Sequence, residues 1–274
     1  MSTPKGGWEL PISEGELSRL TRELDQAHRD YLPRMHAAAA AHVEELRDTR
    51  AVGASRRGFL LGVGGVAATL ALAACSSSSN NAVGVPGGSS SPLAGSASGS
   101  AASGSAAYPG DLKVVALATA LENQAVVAYT AALAAATANK LGTVPPAVAT
   151  FANTAKSQHA DHAKAWNAIL TGAGKPAITD VPLSNQPATL QALDAATTVE
   201  DVAKLALGLE DQAAQTYLFA TYNVSSAGGI ATAASIAPVE AMHAAILNFV
   251  LGQYPVPDDF LPVDKAASPS LLTV

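Results

Sequence analysis

Hydrophobic and polar residues alternate with helical spacing along most of this chain, and the two-residue alternation of strands is nearly absent. Four stretches rich in alanine and leucine predict long helices. They lie at residues 111–140, 146–171 and 198–222 and in a last stretch that has Pro238 in its first turn and ends at Gly252. The pattern therefore predicts an all-α fold, in which the short link between the first two helices makes them antiparallel neighbours.

A long connection separates the second and third of these helices. Residues 172–198 are rich in proline and glycine and contain a short predicted helix at residues 188–195. Thr198, followed by Glu200 and Asp201, is typical of a helix N-cap with an acidic first turn. The connection is therefore predicted to be a long crossover between two helical hairpins.

The second hairpin contains a Gly228-Gly229 pair, which predicts a break before the last helix. After that helix, residues 255–274 contain several prolines and are predicted to be irregular. The resulting expectation is an antiparallel four-helix bundle at residues 108–254, with one long crossover between its second and third helices.

The first fifty residues have a pattern of their own, with leucines at helical spacing among many charges. Residues 13–50 predict an amphipathic helix, and Pro33 is the position where we expect it to break. We interpret residues 1–54 as a charged, solvated cytoplasmic leader. A contact for the export machinery is the alternative interpretation.

Charge is distributed unevenly along the chain. Residues 1–74 contain nine basic and nine acidic residues, whereas the remainder has no arginine and carries seven lysines against thirteen acids. Nucleic-acid-binding domains need a basic surface, so no nucleic acid partner is expected. The single cysteine excludes an internal disulfide and a thiolate metal site.

One motif occurs twice in the predicted bundle. Glu122 is followed seven residues later by Tyr129, and Glu210 is followed at the same spacing by Tyr217. A carboxylate on the apolar side of a helix is costly to bury unless a cation neutralises it, so the repeat indicates two halves of one cation site. We interpret the two tyrosines primarily as packing residues with a hydrogen-bonded hydroxyl, and a role beside the metals in hydrogen bonding or electron transfer is the alternative.

Each copy of the motif precedes a pair of residues with i, i+3 spacing, which places both members on one helix face. Carboxylate oxygen and imidazole nitrogen are ligands that divalent metals prefer, so the four helices predict a two-metal site. The candidate ligands are Glu122, His159, His162, Glu210, Glu240 and His243. Four neighbouring polar residues are candidates for hydrogen bonds to the histidines: Asn123, Gln124, Asp211 and Gln212.

The order of these ligands resembles that of the ferritin-like superfamily, which includes rubrerythrins and manganese catalases, over about residues 108–252. His159 departs from the resemblance, because the family usually has a bridging glutamate at this position. An asymmetric site, or one weakly held ion, is the expected consequence. The expected roles are terminal ligands for Glu122 and Glu210, one ion each for His162 and His243, and a bridge for Glu240.

The resemblance implies redox chemistry with oxygen or peroxide. Two iron ions are the expected cofactors, with manganese or a mixed iron and manganese pair as the alternative. The expected reaction is Fe(II) oxidation or peroxide removal, so the chain is a candidate ferroxidase or related oxidoreductase. A manganese-catalase-like enzyme and a metal-free envelope or stress-associated binding module are the competing interpretations.

Residues 55–75 resemble a bacterial export signal that ends in a lipobox. Arg56 and Arg57 precede an apolar, glycine-containing run, as in twin-arginine signals, and Leu-Ala-Ala before Cys75 resembles a lipoprotein processing site. The expected partners are therefore the twin-arginine export machinery and, through a lipidated Cys75, the membrane.

Residues 76–107 are almost entirely serine, glycine and alanine, which favours a disordered tether. Such a tether would hold the bundle at the outer face of the cell membrane or in the periplasm. A homodimer is compatible with this arrangement. A closed storage cage is not expected, because an acylated tether on every subunit would crowd the shell.

Overall fold

The computed structural model describes residues 9–62, 107–257 and 261–274, and for residues 49–62 it describes the backbone alone. The side chains of Arg56 and Arg57, the whole of Cys75 and the tether as far as residue 106 lie outside the described residues. Met1–Thr49 and Ser103–Val274 form one compact unit, to which all the side-chain contacts below belong. Arg50–Ala102 form a second unit, of which only the helical backbone up to Gly62 is described.

The described residues are all-helical, as the sequence predicts, with no β-strand among them. Helices α2 and α3 pack as one hairpin, α5 and α6 pack as a second, and α4 lies in the crossover between them. The two hairpins form the predicted four-helix arrangement. The elements are α1 (Glu14–Gly62), α2 (Leu112–Thr137), α3 (Pro146–Gly172), α4 (Gln186–Ala195), α5 (Val199–Asn223), α6 (Ala227–Val250) and a short 3-10 helix (Pro269–Leu271).

The start of α5 confirms the predicted N-cap. The backbone N–H of Asp201 donates to Oγ1 of Thr198, and the backbone N–H of Thr198 donates to Oδ2 of Asp201, both at 3.0 Å. This reciprocal arrangement satisfies two backbone donors that the first turn of a helix leaves unpaired. It fixes the point at which the crossover ends.

Helix α6 begins earlier than the sequence predicts. Ser226 caps it, because the backbone N–H of Gly229 donates to Oγ of Ser226 at 3.0 Å. Gly228 and Gly229 therefore lie in the first turn instead of forming a break, and Pro238 is in the interior of the helix. Glycine is required at position 228, since a Cβ atom there would be 2.3 Å from the backbone nitrogen of His42 in α1.

The leader helix packs against the bundle instead of being fully solvated. Helix α1 continues through Pro33 without the expected break. Most of its charged residues remain exposed and form pairs such as Arg19 with Glu16 and Glu23. Its apolar face is buried among residues of the bundle and holds the helix in place on both sides of the proline. The buried apolar residues of this face are Leu17, Leu24, Met35, Ala39 and Val43.

The crossover and the C-terminal tail are fastened to the bundle by side-chain amides and hydroxyls. The amide nitrogen of Asn123 in α2 donates to the carbonyl oxygens of Ile178 at 2.9 Å and Asp180 at 2.8 Å. In the tail, the backbone N–H of Ala267 donates to Oγ1 of Thr216 in α5 at 2.8 Å. The described part of the tail has only a short 3-10 helix, and this contact fastens it to α5.

Two helices in the described part of the chain, α2 and α6, are long and apolar enough to cross a membrane. Both are core helices of the bundle, and more than half of each apolar window is buried within it. Packing in the core therefore accounts for their hydrophobicity.

Candidate metal centre

The six predicted ligands meet at the centre of the bundle. Each has at most 2 % of its surface exposed. Their donor atoms form two overlapping groups, and the atoms of each group lie within 4.8 Å of one another. Helix α2 supplies Glu122, α3 supplies His159 and His162, α5 supplies Glu210, and α6 supplies Glu240 and His243.

The first group joins residues of α2, α3 and α6. Nδ1 of His162 is 2.8 Å from Oε1 of Glu240 and 3.5 Å from Oε1 of Glu122. Nδ1 of His159 is 2.7 Å from Oε2 of Glu122. Two carboxylates and two imidazoles thus converge on one point.

The second group joins residues of α3, α5 and α6. Nδ1 of His243 is 3.2 Å from Oε2 of Glu210 and 3.1 Å from Oε2 of Glu240. Nε2 of His159 is 3.1 Å from Oε1 of Glu210. Glu240 therefore directs one oxygen to each group, which is the geometry of a bridging carboxylate.

Several donor atoms of the first group are buried without a hydrogen-bond partner. They are both ring nitrogens of His162 and Oε1 of Glu240. Although Nδ1 of His162 is only 2.8 Å from that oxygen, the two atoms are not aligned for a hydrogen bond. Unpaired buried polar atoms cost free energy, whereas a divalent ion accepts imidazole nitrogen and carboxylate oxygen together. The donor set therefore fits a divalent metal.

The two tyrosines of the repeated motif bond to the glutamates across the bundle. The hydroxyl of Tyr129 in α2 donates to Oε1 of Glu210 in α5 at 2.5 Å. Reciprocally, the hydroxyl of Tyr217 in α5 donates to Oε1 of Glu122 in α2. Nε1 of Trp166 donates in turn to the oxygen of Tyr217 at 3.1 Å. The hydroxyls are therefore hydrogen-bonded as expected, and their partners are the two glutamates, which they orient.

His159 occupies the middle of the cluster. It contacts Glu122 through Nδ1 and contacts both Glu210 and Glu240 through Nε2, the latter at 3.7 Å. It belongs to both donor groups. His159 therefore faces three carboxylates at once, at the position where the resemblance implies a bridging glutamate in other members.

Charge within the cluster shifts the pKa values of its members strongly. Burial raises the pKa of Glu122, but the charge of His162 and hydrogen bonds with His159 outweigh burial and lower that pKa to about 2. Burial lowers the pKa of His162, yet the charges of Glu122 and Glu240 raise it to about 9. The same balance raises the pKa of His159 well above its usual range and lowers that of Glu210. A metal ion must therefore displace protons from the imidazoles.

This proton balance predicts that the metal-free chain loses stability as the pH rises. His162 has a pKa of about 9 when folded and 6.5 ordinarily, so its contribution is complete below pH 6.5 and disappears as the pH passes 9. The expected loss from this group is on the order of 3 kcal/mol. Urea unfolding of chelator-treated protein at the two pH values measures it. His162→Gln should show a smaller loss, and equal stability of the wild type at both values would contradict the prediction.

Gln158 is a contact of the cluster that sequence analysis missed. Its Oε1 accepts a hydrogen bond from Nε2 of His243 at 2.9 Å, which leaves Nδ1 of that ring directed toward the glutamates. The signal that could have identified it is its position four residues before His162, on the same face of α3.

The polar neighbours proposed for this role lie elsewhere. The side-chain amide of Asn123 binds the crossover, and that of Gln124 donates to Oε1 of Gln186 at 2.9 Å. Asp211 pairs with Lys265 of the tail at 2.9 Å, and Gln212 is half-buried on α5. These residues fasten the outer elements or lie at the edge of the bundle.

His28 of the leader helix also lies beside the cluster. It is buried, its Nε2 has no hydrogen-bond partner, and its ring centroid is 5.2 Å from that of His162. Burial, and after it the charges of His162 and His243, lower the pKa of His28 to about 4. No local sequence pattern links a leader residue to a helix more than a hundred positions away, so this contact could not be predicted.

The fold and the cluster together define an all-helical bundle whose core is compatible with metal binding. The chain belongs to the ferritin-like domain family, whose profile matches residues 110–253. That range contains all six candidate ligands and excludes helix α1. No curated protein and no solved structure matches the chain significantly.

Proposed function

We propose that the bundle holds two divalent metal ions, with iron as the expected metal, and oxidises Fe(II) or removes peroxide or dioxygen. The observation that carries this proposal is that Glu240 and His159 belong to both donor groups, because ions that share a carboxylate form a dinuclear centre. When bound, the metals supply the redox chemistry. The protein holds the ligands in place and excludes water.

The candidate ligands would form two metal positions, one in each donor group. Glu122 and His162 would hold one ion, Glu210 and His243 the other, and Glu240 contributes an oxygen to each. The hydroxyls of Tyr129 and Tyr217 keep the two terminal glutamates oriented. Three carboxylates would leave two divalent ions with excess positive charge, which hydroxide, oxide or another bound anion would balance.

An apolar cavity of about 50 Å³ supports a small uncharged oxidant, dioxygen or hydrogen peroxide, as the molecule that approaches from this side. Its lining includes Tyr129, Phe151, Leu247 and Val199. Tyr129 connects this space to Glu210 through its hydroxyl. Dioxygen and hydrogen peroxide can enter an apolar space of this size, whereas a charged substrate would lose its hydration there.

The test is aerobic addition of Fe(II) to the metal-free chain, followed by near-ultraviolet absorbance. The wild type is expected to oxidise iron faster than a Glu122→Ala, Glu240→Ala variant, which lacks ligands of both positions. Equal rates for the two proteins would rule out iron oxidation at this site. Rapid peroxide breakdown by a manganese-loaded wild type, without iron oxidation, would favour the manganese-catalase-like alternative.

A metal-free binding module is the second candidate function, and one observation favours it. His159 contacts all three glutamates, so protonated imidazoles can neutralise the cluster without metal. Under this alternative, the chain purified without chelator contains no stoichiometric metal. It also fails to bind any when it is titrated with Fe(II) or Mn(II).

We also propose that the chain is exported by the twin-arginine machinery and anchored through Cys75 to the outer face of the cell membrane. The support is the order of Arg56-Arg57, an apolar run, a small-residue junction and a serine-rich tether. Cys75→Ser is expected to move the domain from the membrane fraction to the soluble fraction and to abolish labelling by a fatty acid. An unchanged membrane fraction would contradict the anchor, and Ser76→Ala is the matched control.

A further inference from the structure

Helix α1 is fastened to the bundle near both ends of its packed segment. Oε2 of Glu14 accepts a hydrogen bond from the backbone N–H of Ala147, in the first turn of α3, at 3.3 Å. Oε1 of Glu45 accepts one from the backbone N–H of Gly228, in the first turn of α6, at 3.2 Å. Each carboxylate thus meets the positive end of a helix dipole. These two contacts fix the register of the leader on the bundle.

Glycines of the bundle allow the leader to approach closely. A Cβ atom at Gly172 would lie 2.6 Å from Cγ1 of Val43, and one at Gly229 would lie 2.8 Å from Cε1 of His42. At Gly228 the obstruction would be the backbone of α1 itself. Close approach of this kind places the leader within the packed core of the domain.

The middle of the leader covers the metal centre. His28 lies against His162 and has only 4 % of its surface exposed. Leu24 and Met35 are buried on either side of it, each 3 % exposed. With the leader in place, His162 is fully buried.

We propose that the leader helix is an intramolecular lid, which closes the His162 side of the metal centre in the full chain. The effect of this lid on activity rests on the proposed function and on export. A leader that precedes an export signal stays on one side of the membrane, and the bundle that follows the signal is carried to the other side. Export would then remove the lid and open the centre. In the cytoplasmic precursor the lid slows metal exchange and reaction at the centre without preventing equilibrium binding.

The first test is hydrogen–deuterium exchange of the full metal-free chain. Backbone amides of the leader are expected to exchange at least about 100-fold more slowly than those of a synthetic leader peptide, because docked helices open rarely. Leu24→Asp with Met35→Asp should abolish this protection. The matched control is Ala37→Asp with Ala40→Asp, two exposed positions of the same helix, which should preserve it. Exchange of the wild-type leader at the peptide rate would overturn the docking.

The second test measures access to His162 by hydroxyl-radical footprinting, with the modified sites located by mass spectrometry, because the radical oxidises protonated and neutral imidazole alike. In the wild type the exposed His36 should react while His162 is protected. In the Leu24→Asp, Met35→Asp variant, His162 should be modified at least about tenfold faster than in the wild type, as expected when a packed face opens. Equal protection of His162 in both proteins would overturn the lid. Should the double variant disturb the bundle itself, Gly228→Ala repeats the test from the opposite side of the contact.

Both measurements use metal-free protein, so they do not depend on the proposed chemistry. A chain that binds no metal but shows a protected leader and a protected His162 would retain the lid and reject the proposed function. A chain that binds two ions but has a freely exchanging leader would retain the proposed function and reject the lid.

Discussion

Replacing Glu240 with glutamine is expected to lower the metal content from two ions per chain to nearly none. Its Oε1 lies 2.8 Å from Nδ1 of His162 and its Oε2 lies 3.1 Å from Nδ1 of His243, so one side chain serves both positions. Glutamine preserves the volume but removes the charge. A unit charge about 4 Å from another contributes about 4 kcal/mol at an effective dielectric of about 20, which is roughly three orders of magnitude in affinity. Plasma mass spectrometry of purified protein measures the result.

Three variants serve as controls for this prediction. Glu122→Gln and Glu210→Gln each remove a ligand from one group only, so each should leave one ion per chain. Glu200→Gln changes a residue outside the cluster, in the first turn of α5, and should leave two. Equal metal content in the Glu240→Gln and Glu122→Gln proteins would contradict a shared role for Glu240.

Replacing His159 with glutamate is expected to have opposite effects on the metal-free and metal-bound chains. Without metal, the substitution removes the imidazole that contacts all three glutamates and adds a fourth carboxylate. Loss of one partner from a buried ionic contact costs about 3 to 5 kcal/mol, so the metal-free domain should melt about 6 to 20 °C lower. With metal, the added carboxylate can bridge both ions, and affinity should rise by about two orders of magnitude.

Thermal melting with and without Fe(II), in the absence of oxygen, separates the two effects. His159→Gln is the control, because it removes the imidazole without adding charge. It should destabilise the metal-free chain but show no gain in affinity. A His159→Glu chain that is as stable as the wild type without metal would show that His159 does not neutralise the cluster.

The bundle could be predicted because its signals are local. Helical periodicity, the Thr198 cap and the proline-rich crossover each depend on residues close together in the sequence, and the structure confirms them. The predicted start of α6 was wrong because it also relied on a local signal alone. A glycine pair usually breaks a helix, and here Ser226 caps the helix while the glycines admit the backbone of α1.

The candidate ligands could be predicted because repeated spacing on four helices places them on matching faces. The bonds of Tyr129 to Glu210 and of Tyr217 to Glu122 could not, since they depend on the register between antiparallel α2 and α5. The docking of the leader on the bundle also could not be predicted from the sequence. An amphipathic pattern shows that a helix has an apolar face but does not identify what covers it.

Metal content of the wild-type chain tests the central claim most directly. The full chain, purified without chelator from cells supplied with iron and manganese, is titrated with Fe(II) under anaerobic conditions and analysed by plasma mass spectrometry. We predict two ions per chain, both lost in Glu240→Gln. A folded wild-type chain that binds no iron or manganese at any point of the titration would contradict a dinuclear metal centre.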